Sequence, residues 1–405
     1  MSSGEGRSLL ELKTGAVNDL CGRAALFALV LVALAGCRSE MIQKIVPIGE
    51  KERAAAAAEQ AARAMVPVEK DPEHVRVLFA GDTHFIWGVS DLQKKKGAHY
   101  PVQRLRKLFH SADFRILNLE TAISGKGEPI SKKAFIFNAD PGPSIELLRG
   151  LKLDLALLGN NHSMDMGVAG LNDTVARLRS AGIAAVGAGA NAREAASPYY
   201  FTSGGVKFAV LSFSNIGTPE VYSTFTRPGV ANMRNNMMFV VRKYARTADH
   251  LLVSLHWGIE YYTRPTPEQV QIGRALVDAG ASLVVGHHPH IPQGMEVYRG
   301  GLICYSLGNF LFGSVNPYQT QNLVLRVDVS KRTRELSAAT LYPVQGAYRN
   351  TGHAIRMVPP SESREFWQEF YLQSRDLNPN FKQRFRMTAS GTGEITIAGD
   401  QARTR

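Results

Sequence analysis

From His74 onward, short apolar runs rich in β-formers alternate with longer stretches of helical period. Val75–Ala80, Phe114–Leu119, Leu153–Gly159 and Ala184–Val186 read as strands, and Tyr100–His110, Ser144–Leu151 and Val168–Ala181 read as helices between them. Further strands are expected at Val206–Phe213, Leu251–Leu255, Ser282–Val285, Leu302–Ser306 and Asn322–Val329, with a helix at Glu268–Ala279. Repeated pairing of strand with helix predicts an α/β core with parallel or mixed sheets. From about Ser337 the pattern weakens, apart from an amphipathic helix at Ser361–Arg375 and a frayed tail at Gln401–Arg405.

The start of the chain follows a different pattern. Ala24–Gly36 is an apolar run of thirteen residues preceded by Arg23, too short to span a bilayer comfortably but right for the core of a signal peptide. It ends in Leu34-Ala35-Gly36-Cys37, which resembles the lipobox of bacterial lipoproteins, where cleavage precedes a cysteine that then carries lipid. The expectation is an exported, membrane-anchored lipoprotein lipidated at Cys37, with a short N-terminal membrane anchor as the alternative. Lys51–Met65 is rich in Ala, Glu, Gln and Arg, with little large apolar surface, and reads as a tether. The expected organisation is therefore a signal peptide at 1–36, a tether at 37–73, a globular domain at 74–345 and a C-terminal extension at 346–405.

Composition narrows the picture. The 405 residues are 44% hydrophobic and 20% charged, as in globular proteins, and Lys+Arg of 47 against Asp+Glu of 35 leaves a net charge of +12. That surplus suits an anionic partner. No nucleic-acid motif accompanies it, and no nucleic-acid partner is expected. The three cysteines, Cys21, Cys37 and Cys304, form no zinc or disulfide spacing, and Cys304 is expected to be a small buried hydrophobe.

The chemistry sits in five polar clusters, each directly after an apolar strand run: Gly81-Asp82-Thr83-His84, Asn118-Leu119-Glu120, Gly159-Asn160-Asn161-His162 with Asp165, His256-Trp257-Gly258, and Gly286-His287-His288-Pro289-His290. Ligands of α/β folds bind beyond the carboxyl ends of the strands. A lone Asp there is usually a turn or cap residue, and a lone His usually structural. Here, six of the eleven histidines fall in these clusters beside carboxylates and Asn amides, a donor set that suits Mn, Fe or Zn. The glycines are expected to let backbone approach the ions.

These motifs, together with Tyr305-Ser-Leu-Gly-Asn309-Phe310, resemble the CapA family of poly-γ-glutamate capsule synthesis, within the calcineurin-like metallophosphoesterase superfamily; the resemblance runs from His74 to Val344. It implies a four-layer metallophosphatase-like β-sandwich flanked by helices, with two divalent metal ions at the strand ends. It implies Asp82, His84 and His290 as ligands of one ion, Asn161, His256 and His288 as ligands of the other, and Glu120 where the superfamily has a bridging aspartate. His162 is implied as the catalytic residue that meets the leaving group, with Asp165 beside it. Asn118, Asn160 and Asn309 are expected to orient ligands, and His287 to be a spacer. Glu120 is one methylene longer than Asp, and the Gly-Asp-x-x-Asp motif of ordinary phosphoesterases is missing. The implied function is a lipid-anchored hydrolase acting on phosphoester or amide bonds in anionic-polymer synthesis, alongside other capsule-synthesis proteins. The alternative is a non-catalytic polymer assembly, export or binding factor with structural metals.

Overall fold

Strand parity accounts for the layers. In the strand His74–Thr83, the odd residues Val75, Val77 and Phe79 share one buried cluster, while the even residues Leu78 and Ala80 belong to another. Successive side chains of a strand point to opposite faces, so this strand is covered on both sides. The same split recurs in Val206–Ser214, where Phe208 and Val210 join Val75 and Phe79 while Leu211 and Phe213 pack elsewhere.

The computed structural model describes residues 70–130, 133–313, 321–346 and 351–398. The signal-peptide run, Cys37, the 51–65 tether and the tail at 401–405 lie outside the described residues. Two sheets face each other. The first runs, in spatial order, Phe385–Met387, Gly393–Thr396, Leu336–Gln345, Asn322–Ser330, His74–Thr83, Phe114–Leu119, Leu155–Leu157 and Ala184–Val186. The second runs Pro292–Tyr298, Gly301–Leu307, Leu283–His287, His250–His256, Val206–Ser214 and Tyr199–Ser203. Between them lies a core that joins Val77, Ile116 and Leu157 of the first sheet to Val210, Leu252, Val285 and Cys304 of the second.

Helices cover the outer faces. Leu147 and Leu148 of Pro141–Gly150, and Leu171 and Leu178 of Gly167–Ser180, pack on the first sheet, while Val241 of Met237–Tyr244 and Leu276 of Pro267–Asp278 pack on the second. The result is the four-layer α/β sandwich, helix on sheet on sheet on helix. Cys304 is buried in the inter-sheet core with its Sγ 3.4 Å from the Met295 sulfur, a small hydrophobe as expected.

Several strands escape the sequence pattern. Tyr199–Ser203 and Pro292–Tyr298 close the two edges of the second sheet, and Leu336–Gln345 pairs antiparallel with Asn322–Ser330 beyond the point where periodicity fades. The C-terminal strand Gly393–Thr396 adds to Leu336–Gln345, while the helix Arg364–Leu377 docks on Pro292–Tyr298, where Ser374 Oγ accepts the Met295 N–H at 3.0 Å.

The strands carrying the polar clusters run parallel within each sheet: His74–Thr83 beside Phe114–Leu119 and Leu155–Leu157 in one, Val206–Ser214 beside His250–His256 and Leu283–His287 in the other. Their carboxyl ends therefore emerge at one edge of each sheet.

Candidate metal centre

A bulge aims the first acid. The ladder between His74–Thr83 and Phe114–Leu119 pairs Ala80 with Leu117 and then Asp82 with Asn118, so Gly81 is the extra residue. Such a slip re-aims the side chain that follows. Asp82 thus meets Asn118, whose Nδ2 donates to Asp82 Oδ1 at 2.7 Å, and it crosses to the other sheet by accepting the His288 N–H on Oδ2 at 3.0 Å. His290 Nδ1 lies 3.2 Å from Oδ2, and His287 Nδ1 lies 3.4 Å from Oδ1. His287 is fully buried behind Asp82 and faces no solvent.

The last cluster is held in strained backbone. His288 and His290 have φ of 93° and 59°, a region that residues other than glycine rarely adopt. Besides the Asp82 contact, Trp257 N–H donates to His287 O at 3.1 Å and Tyr261 N–H to Pro289 O at 2.8 Å. Strain of this kind concentrates at functional sites, where surrounding contacts over-determine it.

Glu120 is the centre of the arrangement. Its carboxylate belongs to two groups of potential ligand atoms, one with His256 and His288 and one with Asp82 and His290, the atoms of each group lying within 4.8 Å of one another. Neither Glu120 oxygen has a hydrogen-bond partner among the described residues, although the residue is fully buried. His256 Nε2, also without such a partner, stands 3.5 Å from Oε1. His288 Nδ1, His84 Nε2 and Asn161 Oδ1 are buried and unpartnered in the same sense. Buried polar atoms are almost always satisfied, and each exception costs about 1–3 kcal/mol. Carboxylate, imidazole and amide donors left open together fit a divalent cation.

The protonation states of three of the histidines agree. Burial holds the His84 and His256 imidazoles well below the ordinary histidine range, and burial, aided by the charge on His290, brings His288 down to about 3. Neutral imidazole is the form that binds metal. Burial also works against charge on His290, but the Glu120 and Asp82 carboxylates outweigh it and raise that group to about 9. Burial, then repulsion from Asp82, drives the Glu120 carboxyl well above its usual value. Burial pushes Asp82 the same way, yet hydrogen bonds from His287 and His290 hold it well below. Asp82 has hydrogen bonds as well as charge in its favour, whereas Glu120 has only the charge on His290 and Lys133 to set against burial and Asp82, an imbalance that bound cations would relieve.

The remaining predicted residues surround this centre. Asn309 Oδ1 accepts from His290 Nδ1 at 2.9 Å, which leaves Nε2 as the free nitrogen. Asn160 is a buried staple: its Nδ2 donates to Asn118 Oδ1 and Leu119 O, and its Oδ1 accepts the backbone N–H groups of His162 and Ser163. His162 Nδ1 pairs with Asp165 Oδ2 at 2.7 Å, and Phe137 stacks on the His162 ring with centroids 3.8 Å apart. His84 is in neither of these groups of ligand atoms; its ring packs against Phe312 at 3.9 Å and Phe137 at 4.9 Å.

The profile of the bacterial capsule synthesis protein family PGA_cap matches residues 76–314. A capsule biosynthesis protein CapA of Bacillus anthracis is 30% identical over 340 residues, covering 82% of this chain and 78% of the relative. The chain belongs to this capsule synthesis family. A PGA biosynthesis protein CapA of Bacillus subtilis is 31% identical over 58% of this chain and 62% of its own length. A probable polyglutamine synthesis accessory protein of Mycobacterium tuberculosis is 33% identical over 49% and 55%.

The capsule-family match spans every cluster from Asp82 to Asn309. Within it the structure adds residues that no motif marked. Lys133 donates to Asp165 Oδ1 and, at 2.6 Å, to Asn161 O, from a polar stretch far from either in sequence. Glu260 lies within ligand distance of His288 and His290; its place four residues after His256 was the available signal. A Cβ at Gly81 would meet Gly308 O at 1.9 Å, and one at Gly286 would meet Tyr305 O at 1.9 Å. At those two positions a neighbouring backbone carbonyl fills the space that a Cβ would take.

Proposed function

We propose that this chain is a metal-dependent hydrolase of the capsule synthesis family, lipid-anchored in the cell envelope and acting in the synthesis of an anionic polymer of the poly-γ-glutamate kind. The observation that carries the reading is Glu120: a fully buried carboxylate, unpartnered on both oxygens, shared by two separate triads. Two divalent ions of the Mn, Fe or Zn class fit this donor set, with Asp82, His84, Glu120 and His290 for one and Glu120, Asn161, His256 and His288 for the other. When bound, such a pair polarises a phosphoryl or carbonyl oxygen and activates water.

The chain's own groups handle the rest. Asp165 fixes His162 through Nδ1, so Nε2 is the nitrogen left to pass a proton to the leaving group. Phe137 holds the ring in plane, and Lys133 balances the Asp165 charge. Asn118 and Asn160 tie Asp82 to the second and third strands, which keeps the acid in register with the histidines of the other sheet.

The net charge of +12 also favours a second reading, a polymer-binding assembly or export factor working with other capsule-synthesis proteins. A screen of the purified protein with Mn²⁺, Zn²⁺ and Fe²⁺ against phosphodiesters, phosphomonoesters and γ-glutamyl amides separates the two. Turnover abolished in His162→Ala at unchanged metal content supports the hydrolase. No turnover on any substrate, with polymer binding that survives chelation, supports the assembly factor.

A further inference from the structure

Two carboxylates, not one, span the pair of triads. Glu120 does so from the buried floor. Glu260 does so from the open side: its carboxylate lies within 4.8 Å of ligand nitrogens on both His288 and His290, and these belong to different triads with Glu120. Glu260 is exposed while both histidines are buried. Its loop is nevertheless held. Tyr261 N–H donates to Pro289 O at 2.8 Å, tying the loop to the histidine turn itself, and Tyr261 sits at a φ of 61°. Gln293 Nε2, fully buried, donates to Tyr262 O at 2.7 Å and Arg264 O at 3.1 Å. The next helix starts at once with a capping box between Thr266 and Gln269. An exposed side chain on backbone fixed this way is a designed approach to the site.

We propose that Glu260 determines specificity by standing where an anionic substrate would approach the two triads, so that the site rejects phosphate esters and accepts amides. The inference rests on the metal-dependent reading above. A phosphate group carries charge to its reacting centre and meets a like charge on the open side of the site, which disfavours its approach. An amide carbonyl carries no charge, and its N–H, or the amine it releases, donates a hydrogen bond to a carboxylate. Asp165 cannot serve as this filter, because Lys133 pairs with it and it is fully buried.

The test compares the full-length protein with Glu260→Gln, each reconstituted with Mn²⁺, using inorganic phosphate as the probe. Metal per chain is measured by elemental analysis and phosphate affinity by calorimetry. The expected result is two ions per chain in both proteins and phosphate binding at least tenfold tighter in Glu260→Gln. Two ions in each with equal phosphate affinity overturns the Glu260 assignment and leaves the hydrolase reading standing. Loss of an ion in Glu260→Gln also overturns it, since Glu260 is then a ligand. Wild-type protein that holds no metal overturns both.

Discussion

Replacing Glu120 by Gln should change stability in opposite directions with and without metal. In the metal-free protein, Glu120 is an acid with both oxygens unpartnered, fully buried beside Asp82. An unsatisfied buried polar group costs about 1–3 kcal/mol and a charged one more, so above the raised value of this carboxyl, where it is ionised, removing the charge should stabilise that state by roughly 2–4 kcal/mol. At about 2.1 cal/mol/K of unfolding entropy per residue, a domain of this size gains about 3–6 °C in midpoint. In saturating Mn²⁺ the sign reverses. Binding contributes about 4 kcal/mol when free ion is a thousandfold above Kd, and Gln offers one weak oxygen where the carboxylate offers two. The assay is differential scanning fluorimetry in EDTA and in Mn²⁺. The metal-free effect also depends on pH. A folded-state value raised above the ordinary 4.5 of Glu120 means stability that is full below that point and declines as pH rises through the raised value. The gap between Glu120→Gln and wild type should therefore widen from pH 4.5 upward. A lower midpoint for Glu120→Gln in EDTA at pH 7.5, or the same shift in both conditions, would refute the argument that this carboxylate is strained for lack of a cation.

Other outcomes follow from the same contacts. Asp82→Asn and His290→Ala should each lower metal per chain by elemental analysis, whereas His162→Ala should not. Gly286→Ala should cost about 3 kcal/mol or more in urea denaturation, because its Cβ would sit 1.9 Å from Tyr305 O and 2.5 Å from Trp257 Nε1. Burial pushes the Cys304 thiol upward, so mass spectrometry after iodoacetamide at pH 8 should find it unmodified in native protein and alkylated in guanidinium. Cys37→Ser should move the protein from the membrane fraction to the soluble one; retention on the membrane refutes the lipobox reading.

Much of the fold was legible along the chain. Runs such as Val75–Ala80 and Leu251–Leu255 are covered on both faces, so they appear as largely apolar stretches, broken only by Arg76 and Ser254, that end abruptly in polar residues. The strands Tyr199–Ser203 and Pro292–Tyr298 did not stand out. Both are edge strands: Tyr199–Ser203 is short, Pro292–Tyr298 contains a proline and a glycine, and each gains its place from the neighbour it pairs with.

The donor clusters were likewise fixed by sequence, since each follows a strand and residue type sets ligand chemistry. What sequence could not decide is which donors share an ion-sized space. That depends on two sheets meeting: Asp82 comes from one sheet and His288 and His290 from beside the other, and only a bulge at Gly81 turns Asp82 to face them. Lys133 and Glu260 belong to the same class. Neither lies in a motif, and each reaches the site because a loop is pinned from a distant segment, by Asp165 and Asn161 in one case and by Pro289 and Gln293 in the other. Residue type and spacing determined the chemistry on offer; long-range packing decided its geometry, because the distances that make a site are between residues the chain keeps far apart.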